Sequence, residues 1–145
     1  MKLAKALKTK NRLASKISHL MNDVRTNNSL PNESKKEVNV SELMEEIRQL
    51  TNQLIQLKIK IFVASAPIRE HILRISELKS ETAFLKSIST VRGKIMERTY
   101  GGAQMIEYEA SITKEEVTKR INECEEEIDK LQEEIDEHNY TTEIE

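Results

Sequence analysis

Val117, Ile121, Cys124, Ile128, Leu131, Ile135 and His138 recur at alternating spacings of four and three, with charged and polar residues between them. That pattern is one apolar seam on an α-helix, and such a seam is stable in water only against other helices. The helix opens where Thr113 precedes Glu116 by three. This is a capping box in which the hydroxyl takes the Glu116 N–H and the carboxylate reaches back. Residues 113–139 therefore demand partner helices, which the rest of the chain must supply.

It supplies three. Leu3, Ala6, Lys10, Leu13, Ile17, Leu20 and Val24 follow the same alternation, which predicts a first helix over about 2–25 with a narrow stripe that Lys10 interrupts. Residues 26–39 gather Asn27, Asn28, Pro31, Asn32 and Ser34 without periodicity and read as a mobile loop. Val40, Leu43, Ile47, Leu50, Leu54, Leu57 and Ile61 restart the seam in a second helix over about 40–64. Met44, Ile55, Ile59 and Phe62 widen it, which predicts that this helix sits centrally. Ser65-Ala66-Pro67 ends it, since proline is accepted at the first helical position but not inside. A third helix over about 67–90 carries Ile68, Ile72, Ile75, Leu78, Leu85 and Ile88. At 1.5 Å per residue these helices run roughly 36 to 39 Å, and matched lengths favour lateral packing.

Between the third and fourth helices the apolar period changes to two. Residues 94–112 read as a β-hairpin about Gly101-Gly102, with both glycines at positive φ and Tyr100 opposite Ala103. One face then holds Ile95, Ile106, Tyr108, Ala110 and Ile112. The other holds Lys94, Met96, Arg98, Tyr100, Met105, Glu107 and Glu109. A lone two-stranded ribbon is barely stable in water, so this one must pack on helices or join strands of another copy.

The fold class expected is mostly α: a long-helix antiparallel bundle or coiled coil with one β-hairpin between helices 3 and 4, in a single domain over 1–145. A charged fraction of 33% and an aromatic fraction of 3% suit solvated helices better than a sandwich or an α/β core. A net charge of −2 gives no strong nucleic-acid signal, but the charge is graded. Nine Lys or Arg face two acids in residues 1–36, and fifteen acids face four cations in 107–145, so the first and last helices are expected to be neighbours within or between copies. The longest apolar stretch, 59–68, is half a membrane span and carries Lys60. With no continuous apolar core among the first residues, the expectation is a cytoplasmic protein.

The ends of the chain carry a family likeness. Met1-Lys2-Leu3-Ala4-Lys5-Ala6-Leu7, Asn139-Tyr140-Thr141-Thr142-Glu143-Ile144 and the internal Ile106-Glu107-Tyr108 resemble the bacterial septicolysin-like family, and the order of elements is similar over nearly the whole length. The resemblance implies an all-helical protein apart from its ribbon, associating as a homo-oligomer with a hexamer as the candidate size, and of unsettled biochemical role. Two segments depart from the family pattern: 61–67, where relatives have an Asn/Thr-rich break, and the tip 100–103, where they are Arg/Ser-rich. The family name implies haemolysis, a membrane-active toxin reading that no apolar or alternating segment of membrane length supports.

The residues offer little catalytic chemistry. Glu134 and His138 lie four apart on one helix face but have no second ligand pair at metal spacing, so neither a metal nor another cofactor is expected. Gly93, Gly101 and Gly102 do not have dinucleotide or phosphate-loop spacing. No nucleophile has an arranged base, and the acids of 123–137 read as a solvated helix face, so a non-enzyme is expected. The least ordinary feature is the charged ribbon face. Arg92, Lys94, Arg98 and Tyr100 form a candidate site in which a guanidinium fork would take a small, nucleotide-like anion and the ring would stack on it. The seam of assembly is expected at Leu43, Ile47, Leu50, Leu54, Leu57, Ile61, Val117, Ile121, Cys124, Ile128, Leu131 and Ile135. The main functional expectation is a homo-oligomer that works by binding, and the alternative is a sequesterer holding that anion in clefts between protomers.

Overall fold

A computed structural model describes residues 1–34 and 37–145; Lys35 and Lys36 of the expected loop lie outside the described residues. The order is α1 (Leu3–Asn27), α2 (Val40–Ala64), a 3₁₀ turn (Ala66–Ile68), α3 (Arg69–Ser87), β1 (Gly93–Thr99), β2 (Gly102–Tyr108) and α4 (Lys114–Thr141). The protein is mostly α with one antiparallel hairpin between its third and fourth helices. It forms two compact units, residues 1–69 with 136–145, and residues 70–135.

In the first unit α1 and α2 run antiparallel. Leu3 and Ala6 at the start of α1 pack with Ile61 at the end of α2, while Lys16 meets Glu46 at 3.3 Å. Every stripe residue of α1, including Lys10, is buried or half-buried, and so are Leu43, Ile47, Leu50, Leu54, Leu57 and Ile61 of α2. α1 runs two residues past the expected end because Thr26 and Asn27 turn their side chains back onto the carbonyls of Asn22 and Asp23. α2 begins where Asn39 accepts from the Glu42 N–H at 3.2 Å, a side-chain cap on an otherwise unpaired amide. Pro67 stands in the 3₁₀ turn, where its missing N–H removes no helical bond. The wider face of α2 is a correction to the expected central helix: Met44, Ile55, Ile59 and Phe62 are about half to two-thirds exposed. One partner helix covers one stripe, and these side chains lie off it.

In the second unit α3 and α4 share a seam in which Leu85, Val117 and Cys124 are buried, with Leu78, Ile88 and Ile121 against them. The inward positions of α3 are His71, Ile75, Leu78, Thr82 and Leu85, at heptad spacing; Ile72 is 48% exposed instead. Thr82 is buried because its hydroxyl donates to the Leu78 carbonyl at 2.8 Å, and His71 is held by Glu134 at 2.6 Å. Polar residues thus occupy two seam positions that a search for apolar residues alone passes over. On α4, Thr113 caps the Glu116 N–H at 3.2 Å, but the Glu116 carboxylate pairs with Arg120 rather than reaching back. Burial pushes the Cys124 thiol up from its ordinary value, with the nearby Glu81 adding to the rise.

α3 stops at Ser87, three residues short of the expected end. Ile88, Thr90 and Val91 are β-branched and favour extended backbone. The ribbon that follows pairs Gly93 with Tyr108, Lys94 with Glu107, Ile95 with Ile106, Met96 with Met105, Glu97 with Gln104, Arg98 with Ala103 and Thr99 with Gly102. The loop is therefore Tyr100-Gly101, not Gly101-Gly102. Among the described residues only Gly93 (+89°) and Gly102 (+120°) have positive φ, so the left-handed residue follows the loop rather than forming it. Thr99 closes the turn by donating to the Gly102 carbonyl at 3.1 Å. Moving the pairing by an even step keeps every strand side chain on its expected face.

Leu3 is wholly buried, and Leu3→Ala would leave a cavity among Ile61, Ile144 and Ala6. We expect a loss of about 2–4 kcal/mol in urea unfolding, with the helical circular dichroism of the folded state kept.

Candidate functional site

Strand geometry builds the ribbon site. Alternate side chains point to opposite faces, so Lys94, Met96, Arg98, Ala103, Met105 and Glu107 share one face and Ile95, Glu97, Ile106 and Tyr108 the other. Every residue of the first group is exposed; Glu97, Ile106 and Tyr108 are half-buried. On that second face the Tyr108 hydroxyl donates to the Glu97 carboxylate, and this bond with the adjacent charge raises the Tyr108 pKa above its ordinary value.

The structure therefore brings Lys94 and Arg98 together, with Met96 between them on the strand, 63% exposed, and Met105 directly across from it, 56% exposed. Arg92 precedes the strand and is exposed. Tyr100 is the exception: it lies in the loop, fully exposed, and does not stand beside Arg98 as a strand neighbour. Among the described residues Arg92, Lys94 and Arg98 form no ion pair closer than 4.0 Å, although Lys94 has Glu107 as its cross-strand partner. The face is graded across its width, basic along β1 and acidic along β2.

A second place draws the two chain-end motifs into one arrangement. Lys2 and Glu143 form an antiparallel bridge: the Leu3 N–H donates to Thr142 at 2.9 Å and the Ile144 N–H to Met1 at 2.8 Å. The first amides of a helix lack intrahelical partners, and α1 has no side-chain cap, so the tail carbonyl serves in its place. The Glu143 carboxylate meets Lys2 at 2.8 Å and the Met1 ammonium at 2.9 Å, and Ile144 is buried beside Leu3. His138 completes the closure, one ring nitrogen 2.8 Å from the Ala64 carbonyl and the ring within reach of the Thr142 hydroxyl. Glu134 is engaged with His71, so each member of the Glu134/His138 spacing has a structural partner of its own. Beside the tail a groove of about 450 Å³ is lined by Ile59, Val63 and Ala64 of α2 together with Thr142 and Ile144. A larger hollow of about 610 Å³ is lined by residues 114–126 of α4 alone, so it is outer helix surface rather than a pocket.

These contacts explain why the terminal motifs are built as they are; neither spacing nor periodicity could show that they meet. The cross-strand Lys94/Glu107 and Met96/Met105 pairs also required the true register. No protein-family model matches the sequence, and no curated protein does. Among solved structures, a functionally unknown conserved protein from Corynebacterium diphtheriae is similar, with a TM-score of 0.69 and 18% identity over 100% of this chain and 99% of that one. That likeness shows the fold.

Lys2 and the Met1 ammonium hold the Glu143 pKa down, from 4.5 to about 2. A depressed carboxylate stabilises the fold above its unfolded value, and the contribution is lost as pH falls from about 4.5 towards about 2. Glu143→Gln should therefore lower the melting temperature by a few degrees at pH 7, and the gap to the unsubstituted chain should narrow steadily below pH 4.5. Differential scanning calorimetry across that range reads it.

Proposed function

We propose that this protein acts by binding and assembly, as a non-catalytic homo-oligomer, in keeping with its resemblance to the septicolysin-like family. The observation that carries the reading is the set of large apolar side chains left outside the seams. Phe62 and Val63 on α2, Leu73 and Phe84 on α3, and Met96 and Met105 on the ribbon are all between 56% and 68% exposed. Leu73 and Phe84 stand eleven residues apart, hence close to one helix face. Scattered exposed apolar residues are ordinary, whereas large side chains grouped on one face, as Leu73 and Phe84 are on α3, suit a surface that another molecule covers. The twelve seam residues, by contrast, are buried or half-buried within the chain, so they support each unit first and any assembly through it. Among the described residues no helix is long and apolar enough to cross a membrane.

Native mass spectrometry together with light scattering tests this. A discrete homo-oligomer is expected, a hexamer being the candidate size; a monomer at all accessible concentrations would overturn the reading. Leu54→Asp with Ile128→Asp should abolish the assembly or the fold, because each charge enters a half-buried seam position.

A second reading is favoured by Arg92, Lys94 and Arg98, exposed cations that form no ion pair among the described residues. In it the oligomer sequesters a small, nucleotide-like anion against the ribbon, with Tyr100 reaching from the loop. Titration with a nucleoside diphosphate should then saturate, and Arg98→Ala should weaken binding at least about tenfold while the oligomer persists. Equal affinity in the variant would remove this reading.

A further inference from the structure

We infer that the exposed ribbon face is a self-complementary interface, on which the same face of a second copy stacks about a two-fold axis parallel to the strands. This inference rests on the homo-oligomer reading and names its contact surface. The face is a row of three cross-strand pairs: Lys94 opposite Glu107, Met96 opposite Met105, and Arg98 opposite Ala103. All six residues are exposed.

Two ribbons stacked face to face can be related by a two-fold axis in the interface along the strands or across them. An axis along the strands lays β1 of one copy over β2 of the other at the same level. Lys94 then lies over the second copy's Glu107 and Glu107 over its Lys94, so the ion pair forms twice. Met96 lies over Met105, and Arg98 over the small Ala103, where no like charge meets it. An axis across the strands lays β1 over β1 instead, which puts Lys94 over Arg98 and leaves Glu107 over Ala103. Charge therefore selects one arrangement and opposes the other. Stacked sheets lie about 10 Å apart, a gap that a lysine and a glutamate span together and that two methionines fill.

On the opposite face the Tyr108 hydroxyl bonds Glu97 within the ribbon and Ile106 is half-buried, while Ile95 is exposed. An isolated two-stranded ribbon is marginal in water, and stacking gives this one the apolar cover that its exposed face lacks. Strand rise and spacing give each face roughly 200 Å², well below the about 800 Å² per partner of a standard interface. The ribbon contact accordingly sets orientation, and the exposed Leu73 and Phe84 of the same unit supply further apolar area.

The test uses charge reversal in separate copies of the full chain. Lys94→Glu and Glu107→Lys each place like charges over one another in a self-pair, and each should raise the dissociation constant of the assembly at least about tenfold. Mixed in equal amounts, the two variants should recover association, because each then faces its opposite. A purely intrachain effect is not repaired by mixing, since in either variant the reversed residue still opposes a like charge across its own ribbon. Sedimentation velocity of each variant and of the mixture reads this, with circular dichroism confirming the fold. A second measurement avoids the charges. Copies carrying Met96→Cys, treated with a short bismaleimide, should cross-link to one another, because the two-fold axis brings the position within about one sheet gap and one strand spacing of itself, with the unsubstituted chain as the blank for Cys124. An unsubstituted oligomer that both reversals leave intact would overturn the ribbon contact and leave the oligomer reading standing. Association lost in the single variants and not recovered on mixing would overturn it too, as would cross-linking of the Met96→Cys copies no greater than the blank. A monomeric unsubstituted chain would overturn both readings.

Discussion

Every helix in this protein presents an apolar stripe that one neighbour can cover, and the rest of the structure follows from that restriction. Burial of such a stripe removes a few side chains per turn from water, enough to hold two helices together but not enough to surround either of them. In the first unit α1 and α2 satisfy each other along Leu3, Ile17 and Ile61; in the second, α3 and α4 do so along Leu85, Val117 and Cys124. Both units are consequently thin. Ile59, Leu73 and Phe84 lie outside those stripes and stay more than half exposed, and the ring of Phe62 is covered by the Arg69 guanidinium, 3.5 Å from its centre.

Thin units place unusual weight on their ends. A helix pair with a single seam frays where the seam stops, because the last amides and carbonyls have no partners. The first unit answers with a two-residue bridge, in which Leu3 and Ile144 give their N–H groups to the opposite strand and Glu143 sets an anion beside the helix start that carries Lys2. That charge suits the positive end of a helix whose first turn holds no acid of its own. His138 occupies a seam position as a polar residue and is accommodated by the Ala64 carbonyl and Thr142. His71 and Thr82 are accommodated in the same way, each through a partner on the seam or beside it. Such groups stabilise register more than they add bulk stability, since each is tolerated only where its partner stands.

The ribbon's charged face is not consumed by holding the chain together. One face carries the Tyr108–Glu97 bond, while the other keeps two methionines side by side between cations and an acid. A surface that is apolar in its middle and opposite in sign across its width is suited to meeting itself.

The four helices, the break at Pro67 and the presence of a hairpin were legible in the sequence, because hydrophobic period and proline chemistry act within a few residues. The partition of the ribbon's faces was legible for the same reason: it depends on parity alone, and Lys94, Met96 and Arg98 share a face in either register. What depended on distant contact was not. Of the two glycines expected at positive φ only Gly102 takes it, and the pairing two residues away moves Tyr100 from strand to loop and sets Lys94 opposite Glu107. Which apolar residues of α2 were covered depended on how many helices reached it. The meeting of Lys2 with Glu143 joins residues 141 apart. Local sequence determines where a helix or strand can form and which side of it is apolar; only the tertiary structure decides which of those sides is filled, because that is settled by the neighbour and not by the element itself.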